Sequence, residues 1–401
     1  MTSLGRPART VYLAGLAQGL VGAAFPASAV VLRGQGLSDA QYGSLFVPQM
    51  ALAALGATAG SWVMRGLGAR RALAFGVLLM GLSQAALLIA GHAHDARAFA
   101  VALVGTSLLG LGAGIAAGPV NAYPQLLFPR QAESAVLALH VTTGAGLALS
   151  PLLAGAALTG GWWAGFPVLL LGLHLLLAPR IAQEDLPRAE PDHDETAARQ
   201  PFGSTALWLF LSIALLYGLT ESQFGSWGIV FLVEERGLGA AAAGAAAAAF
   251  WACVALGRFG VAGLVLRVPP GPVLPALASL MALSCLLVPL ADGPRGALLV
   301  FALGGLGCGA VFPLSLALAS RRFPRQRARV SSLLYAALVS GLGIGSFATG
   351  LLRPAIGLGR IYRLGALPPA LACLLALAAL RAARPPVRAA SLLPGSHPPV
   401  V

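Results

Sequence analysis

Acidic residues are scarce in this chain, and one of them sits in an unexpected place. Of the 13 Asp and Glu residues, all but one fall in polar connections or at the ends of apolar runs; Glu221 lies well inside the run 205–233. A carboxylate in such surroundings has three available roles. It can exchange a proton or hold a cation such as Na+, accept hydrogen bonds from a polar molecule beside it, or pair with an Arg or a backbone group. Its sequence neighbours add to the chemistry. At helical spacing Tyr217, Glu221 and Phe224 share one face, while Thr220, Gln223 and Trp227 share another, with Ser226 between them. A carboxylate, an amide and an aromatic platform suit hydroxyl groups carried on a ring with apolar faces. Trp227 is equally suited to anchoring a helix at a membrane interface.

Other polar residues are set into apolar runs singly. Gln18, Gln49, Asn121, Thr142 and Thr143 are uncharged, and hydrogen bonding between helices is the simplest role for each. His140 has a side chain that titrates near neutral pH, but a satisfied interior or interfacial histidine is the stronger reading for it and for His174. Arg258 is expected to pair or to extend toward the membrane surface. Clusters that support intramembrane catalysis are missing: there is no H-E-x-x-H, no Asp pair within a span and no nucleophile with a base beside it. Without a single Lys the chain has no G-x-x-x-x-G-K-[ST] loop for ATP. Cys253, Cys285, Cys308 and Cys373 all lie in apolar runs with no C-x-x-C pair, so neither a metal site nor a disulfide framework nor any cofactor is expected.

The elements that would hold these residues follow from composition. The 401 residues are 58% hydrophobic and only 10% charged, too apolar for a water-soluble core. Charge and turn clusters divide the chain into apolar segments at 11–32, 41–63, 72–91, 98–124, 133–158, 162–179, 205–233, 240–264, 272–291, 296–319, 330–352 and 361–380. Each is long enough to cross a bilayer, and only helices satisfy their backbones in continuous runs of this kind. The expected fold is an all-α membrane protein with twelve transmembrane helices. The first run is long enough to span, so no cleavable leader is expected. Pro26, Pro48, Pro119 and Pro313 are expected to kink or break their helices.

Arginine sets the orientation. Twelve spans put both termini on one side, side A, whose connections hold nineteen of the 26 basic residues; the remaining seven, Arg33, Arg97, Arg236, Arg295, Arg353, Arg360 and Arg363, fall on side B. The positive-inside rule makes side A cytoplasmic and the location the cell (inner) membrane. The net charge of +13 thus reports topology, and nucleic acid is not an expected partner.

Motifs recur at a fixed spacing. Gly110-Leu-Gly-Ala-Gly114 returns as Gly305-Leu-Gly-Cys-Gly309, and Phe128-Pro-Arg-Gln131 as Phe323-Pro-Arg-Gln326, both 195 residues on. Gly36, Leu37 and Gly43 return as Gly237, Leu238 and Gly244, 201 residues on. The chain therefore reads as two six-helix pseudo-repeats inserted in the same sense, 1–180 and 205–401, joined by an acidic cytoplasmic linker, 181–204.

This arrangement resembles the major facilitator superfamily over essentially the whole chain. The family's loop after its second helix, commonly G-x-L-A-D-R-x-G-R-R, is matched in Ser61-Trp-Val-Met-Arg65-Gly-Leu-Gly68-Ala-Arg70-Arg71 at Gly68 and Arg70, while the motif's acid is Arg65 here. Within the family the chain looks most like the fucose permease and sodium-dependent-glucose-transporter-like branch. The matching residues are Asn121-Ala-Tyr123, Tyr217-Gly-Leu-Thr-Glu221, Phe250-Trp251, Gly257-Arg258-Phe259 and Phe312-Pro313. The fucose permease pattern carries an acid four residues before its Asn, a position held here by Ala117. The resemblance implies a monomeric secondary transporter in the lipid bilayer, moving a small polar solute such as a sugar by alternating access. It implies solute contacts at Gln18, Gln49, Asn121, Tyr217, Thr220, Glu221, Gln223 and Trp227, with Glu221 coupling transport to H+ or Na+ and Gly68, Arg70 and Arg71 acting in gating. The competing expectation is efflux of drugs or metabolites, since much of the chain offers only Ala, Leu and Gly.

Overall fold

The computed structural model describes residues 5–187 and 203–382, which are helical with no strand among them. The first rod is broken into α1 (Gly5–Gly22), α2 (Ala24–Ala27) and α3 (Ala29–Gly34), and the second into α4 (Asp39–Ser44) and α5 (Phe46–Leu67). Then come α6 (Ala69–Ala90), α7 (Asp95–Leu127), α8 (Ala132–Thr159) and α9 (Gly165–Gln183). Beyond the linker, α10 (Thr205–Val230) ends in a π-helical turn (Phe231–Glu235) and leads to α11 (Ala240–Leu264) and α12 (Pro270–Leu287). The last rods are α13 (Gly293–Gly309), α14 (Val311–Arg322), α15 (Arg327–Leu364) and α16 (Leu367–Ala382). A proline lacks the N–H that would bond the carbonyl four residues back. Pro26, Pro48 and Pro313 accordingly sit just after the breaks at Ala23, Leu45 and Ala310, whereas Pro119 lies within an unbroken α7.

Among the described residues nine helical stretches are long and apolar enough to cross a membrane. The broken first rod and α5 are outside that set, and the last stretch runs from Arg329 to Ala378 as 50 residues. As one rod it would measure about 75 Å at 1.5 Å per residue, more than twice a hydrocarbon core of roughly 30 Å. Gly357 divides this length: its φ of 72° takes it out of the helix, and two helices meet there at a kink. Gly161, with φ 74°, takes the corresponding place between α8 and α9.

Glycine also sets which helices touch. In the first repeat motif a Cβ on Gly114 would lie 2.7 Å from the Ala57 nitrogen on α5, and one on Gly112 would lie 2.6 Å from the Gly76 carbonyl on α6. In the second, Gly309 meets the Val254 carbonyl on α11 at 2.7 Å and Gly307 the Met281 nitrogen on α12 at 2.9 Å. The outer glycines of each motif thus face one neighbour and the middle glycine another, which lets α7 and α13 each pack backbone-close against two helices. A second matched pair joins α1 to α8 and α10 to α15: Cβ atoms on Gly19 and Gly218 would each come 2.9 Å from a backbone nitrogen, of Leu147 and Leu342. The repeated Phe-Pro-Arg-Gln segments form matched 3-10 turns, Pro129–Gln131 and Pro324–Gln326, closing α7 and α14.

The main crossings that join the earlier helices to the later ones are α4–α5 on α15 and α8 on α11, with α2 and α3 also touching α10. Both main crossings are tight near side B. Gly43 approaches the Ser346 carbonyl, with 2.5 Å left for a Cβ, and Gly155 approaches the Ala240 carbonyl, with 2.9 Å. Four charges cover this end. Arg33 at the end of α3 pairs with Asp39 and with Glu234, both at 2.7 Å. Arg353 on α15 pairs with the same Asp39 at 2.7 Å and the same Glu234 at 2.6 Å. Beneath the quartet the Trp227 ring lies 6.0 Å from the Arg353 guanidinium and 5.0 Å, edge to face, from Tyr42. The Tyr42 hydroxyl donates to the Ser226 carbonyl at 2.7 Å, so a buried aromatic layer seals the space under the charges.

Two outcomes test this account. Gly114→Ala and Gly309→Ala should each cost about 1–3 kcal/mol through overpacking, whereas Gly172→Ala, with nothing within 4 Å, should be neutral; equal thermal unfolding shifts at all three positions would refute it. Arg353→Ala should weaken the side-B closure by about 1–2 kcal/mol, a factor of roughly 5–30 in population. In a protein whose native cysteines are replaced, that factor should appear as faster maleimide labelling of Ser226→Cys from side B; an unchanged rate would mean that the quartet does not hold the closure.

Candidate functional site

The centre of α10 presents a run of buried polar residues: Thr220, Glu221, Ser222, Gln223 and Ser226. Glu221 is only 8% exposed. The Tyr217 hydroxyl, one turn earlier, lies within hydrogen-bonding reach as donor to its carboxylate, and the charge of Arg258 on α11 acts on it across the helix interface. The Tyr217 ring stacks on Phe312 of α14, centroids 6.4 Å apart and 21° between planes.

Arg258 is held by the break itself. Pro313 cannot bond the Gly309 carbonyl, and the Arg258 Nε donates to that oxygen at 3.1 Å. The side chain that acts on Glu221 is thereby tied to the bend in the adjoining rod. Toward side B, Phe224 stacks on Phe250 at 5.1 Å and meets Phe301 and Tyr362 edge-on at 5.5 Å and 5.7 Å. These rings join α10 to α11, α13 and the start of the last rod, and they fix the rotation of α10 that carries Glu221.

The other candidates divide by what satisfies them. Thr220 donates to the Leu216 carbonyl at 3.0 Å and Asn121 to the Ala117 carbonyl at 2.8 Å, each on its own helix. Gln223 turns toward Gly365, where its amide occupies the space a Cβ would need, and its Oε1 has no hydrogen-bond partner among the described residues. Gln49 on α5 is buried with its Oε1 likewise unpartnered. Gln18 is half-buried on α1. Trp227 is fully buried beneath the quartet and donates from Nε1 to the Ser346 carbonyl at 3.0 Å. Of the two α10 faces anticipated from spacing, the geometry joins Tyr217 with Glu221, while Gln223 and Trp227 are directed to different neighbours.

The loop residues are placed as follows. Gly68, with φ 80°, turns the chain between α5 and α6. Arg70 donates to the Glu184 carbonyl at 3.0 Å, and Arg71 is exposed. Glu184, read from sequence as the start of a solvated linker, is 6% exposed; its carboxylate accepts from Thr10 at 3.1 Å and lies 3.7 Å from Arg6. It knots the start of α1 and the α5–α6 turn to the end of α9. His174 is buried, its Nδ1 bonded to the Leu170 carbonyl at 2.7 Å and its Nε2 unpartnered among the described residues, whereas His140 is exposed. Sequence reasoning missed the quartet. Its signal was Arg33 and Arg353 lying on the side where arginine is sparse.

The family model described as Major Facilitator Superfamily matches residues 10–303. No curated protein matches the sequence. Among solved structures, the nucleoside transporter NupG superposes with a TM-score of 0.74 at 12% identity, over 95% of this chain and 100% of that one. A D-xylose-proton symporter gives 0.74 at 14% identity, over 94% and 97%. The E. coli fucose:proton symporter FucP gives 0.58 at 17% identity, over 94% and 98%. With nearly three quarters of its length matched by the family model, this chain belongs to the major facilitator superfamily, a multi-pass membrane transporter and not an enzyme.

Proposed function

We propose that the chain crosses the cell (inner) membrane twelve times as two six-helix halves, 1–180 and 205–401, with the linker 181–204 and both termini cytoplasmic. It works as a monomer, moving a small neutral polar solute of the sugar class by alternating access. The nine apolar stretches become twelve spans once the kink at Gly357 divides the last and the first two broken rods are counted. The repeated glycine crossings support two equivalent halves rocking about α4–α5/α15 and α8/α11. With side B closed by the quartet, the arrangement corresponds to the state open toward the cytoplasm.

The observation that carries the transport chemistry is Glu221, a buried carboxylate with a hydroxyl donor at Tyr217, a cation nearby at Arg258 and an aromatic wall at Phe312. A carboxylate so placed exchanges a proton, or a sodium ion, as its electrostatic surroundings change between the two states. The unpartnered amide oxygens of Gln49 and Gln223 are further hydrogen-bonding groups for the solute, with Gln18, Asn121, Thr220 and Trp227 as the remaining candidates. Two similar structures carry proton symport of a sugar in their names, which favours H+ over Na+.

Proteoliposome assays with labelled xylose, fucose and a nucleoside, with and without a pH or sodium gradient, test the reading. Glu221→Gln should abolish gradient-driven accumulation, a loss of at least about tenfold, equivalent to 1.4 kcal/mol, while solute exchange without a gradient persists. Accumulation and exchange both unchanged in Glu221→Gln would remove Glu221 from coupling. Outward movement of an apolar dye, with none of these solutes carried, would favour the efflux alternative.

A further inference from the structure

On side B, apart from the quartet, a cavity of about 420 Å³ opens between the end of α10, the turn after α12 and the kink at Gly357. Arg236, Arg360 and Arg363 line it together with Phe231, Pro289 and Ile356. Arginine is depleted on this side, so two unpaired arginines lining one cavity call for a partner. Arg33 and Arg353 have theirs in the quartet, and Arg236 is bonded to Asp292 and to the Ala291 carbonyl. Arg360 and Arg363 are exposed and have no partner among the described residues. Three residues apart on one helix, they share a face.

The acid at the cavity does not neutralise them. The two oxygens of Glu235 accept from the Leu358 and Gly359 backbone N–H groups at 2.6 Å and 2.9 Å, capping the last rod. That bonding also occupies the helix start, so an incoming anion would meet the guanidinium groups rather than free backbone donors. The surroundings select among anions. Leu364, the last residue of α15, and Leu367, the first of α16, are 53% and 64% exposed just beyond these arginines, and Leu290, 63% exposed, adjoins Pro289. Cationic forks at the rim above an exposed apolar strip fit an amphiphile whose phosphate sits at the surface and whose tails run inward.

We propose that this cavity binds an anionic phospholipid of the side-B leaflet, Arg360 and Arg363 holding its phosphate and Leu290, Leu364 and Leu367 contacting its acyl chains. The site is separate from Glu221 and does not rest on the solute assignment.

Full-length protein in neutral detergent, titrated with phosphatidylglycerol, phosphatidylcholine or glycerol 3-phosphate and followed by thermal unfolding, tests this. Phosphatidylglycerol should raise the unfolding temperature saturably and phosphatidylcholine should not. In Arg360→Gln/Arg363→Gln the half-saturating concentration should rise by about tenfold or more. Arg97→Gln/Arg295→Gln, changed on the same side but outside the cavity, should titrate like the wild type. Arg360→Lys/Arg363→Lys keeps the charge without the fork and should fall between, which also serves if the Gln variant does not fold. Equal stabilisation by glycerol 3-phosphate would overturn the lipid assignment, and an unchanged titration in both Arg360/Arg363 variants would overturn the site.

Discussion

Helices in a bilayer gain little by burying leucine against leucine, because lipid tails are as apolar as the partner helix. What decides contact is how closely two backbones can approach, and here small residues set that distance. Gly110, Gly112 and Gly114 on α7, and their counterparts Gly305, Gly307 and Gly309 on α13, are the clearest case, each triplet serving two neighbours at once. Gly19 with Gly146, and Gly218 with Gly341, do the same for the crossings of α1 on α8 and α10 on α15. Once these contacts are made, the rotation of each rod is settled. Which side chains reach the interior, Glu221 among them, then follows from register alone.

The consequence for α10 is that one rod carries three different tasks along its length. Near its middle it holds Glu221 against Tyr217 and toward Arg258. Two turns on, Trp227 and Ser226 form the floor under the quartet. At its end the π-helical turn offers Glu234 to two arginines and Glu235 to the last rod. A shift of α10 is therefore felt by the buried carboxylate and by the side-B closure together, a mechanical link between the two that needs no intermediate element. The tie from Arg258 to the Gly309 carbonyl extends that link to the bend of α13 and α14.

Much of this was legible in the residues. Apolar length marked the rods, and the 195-residue repeats marked both the glycine triplets and the Phe-Pro-Arg-Gln turns. Gly43 and Gly244, paired by spacing, are each found where an earlier helix crosses a later one. Three of the four prolines singled out lie three residues after a break, whereas α7 continues unbroken through Pro119. The quartet was not legible, since Arg33 and Arg353 are far apart in the chain and nothing local brings them to Asp39 and Glu234. Glu184 escaped for a related reason: its acid-rich sequence surroundings suggest solvent, while its own position at the end of α9 faces Arg6 and Thr10. The direction of Gln223, toward Gly365, depends on a turn at the last rod that apolarity alone does not mark.

The quartet has a property that comes from how its members are divided between the two sets of helices. Arg33 and Asp39 belong to one set, Glu234 and Arg353 to the other, and each set contains one cation and one anion already in contact. Pulling the sets apart exchanges four contacts for two, yet strands no charge, because every arginine departs with an acid of its own. An ion pair split between two bodies would leave bare charges behind and open only at a high cost in desolvation. This one behaves as a pair of neutral dipoles that attract when close and part without residue, a fastening suited to being undone in every cycle.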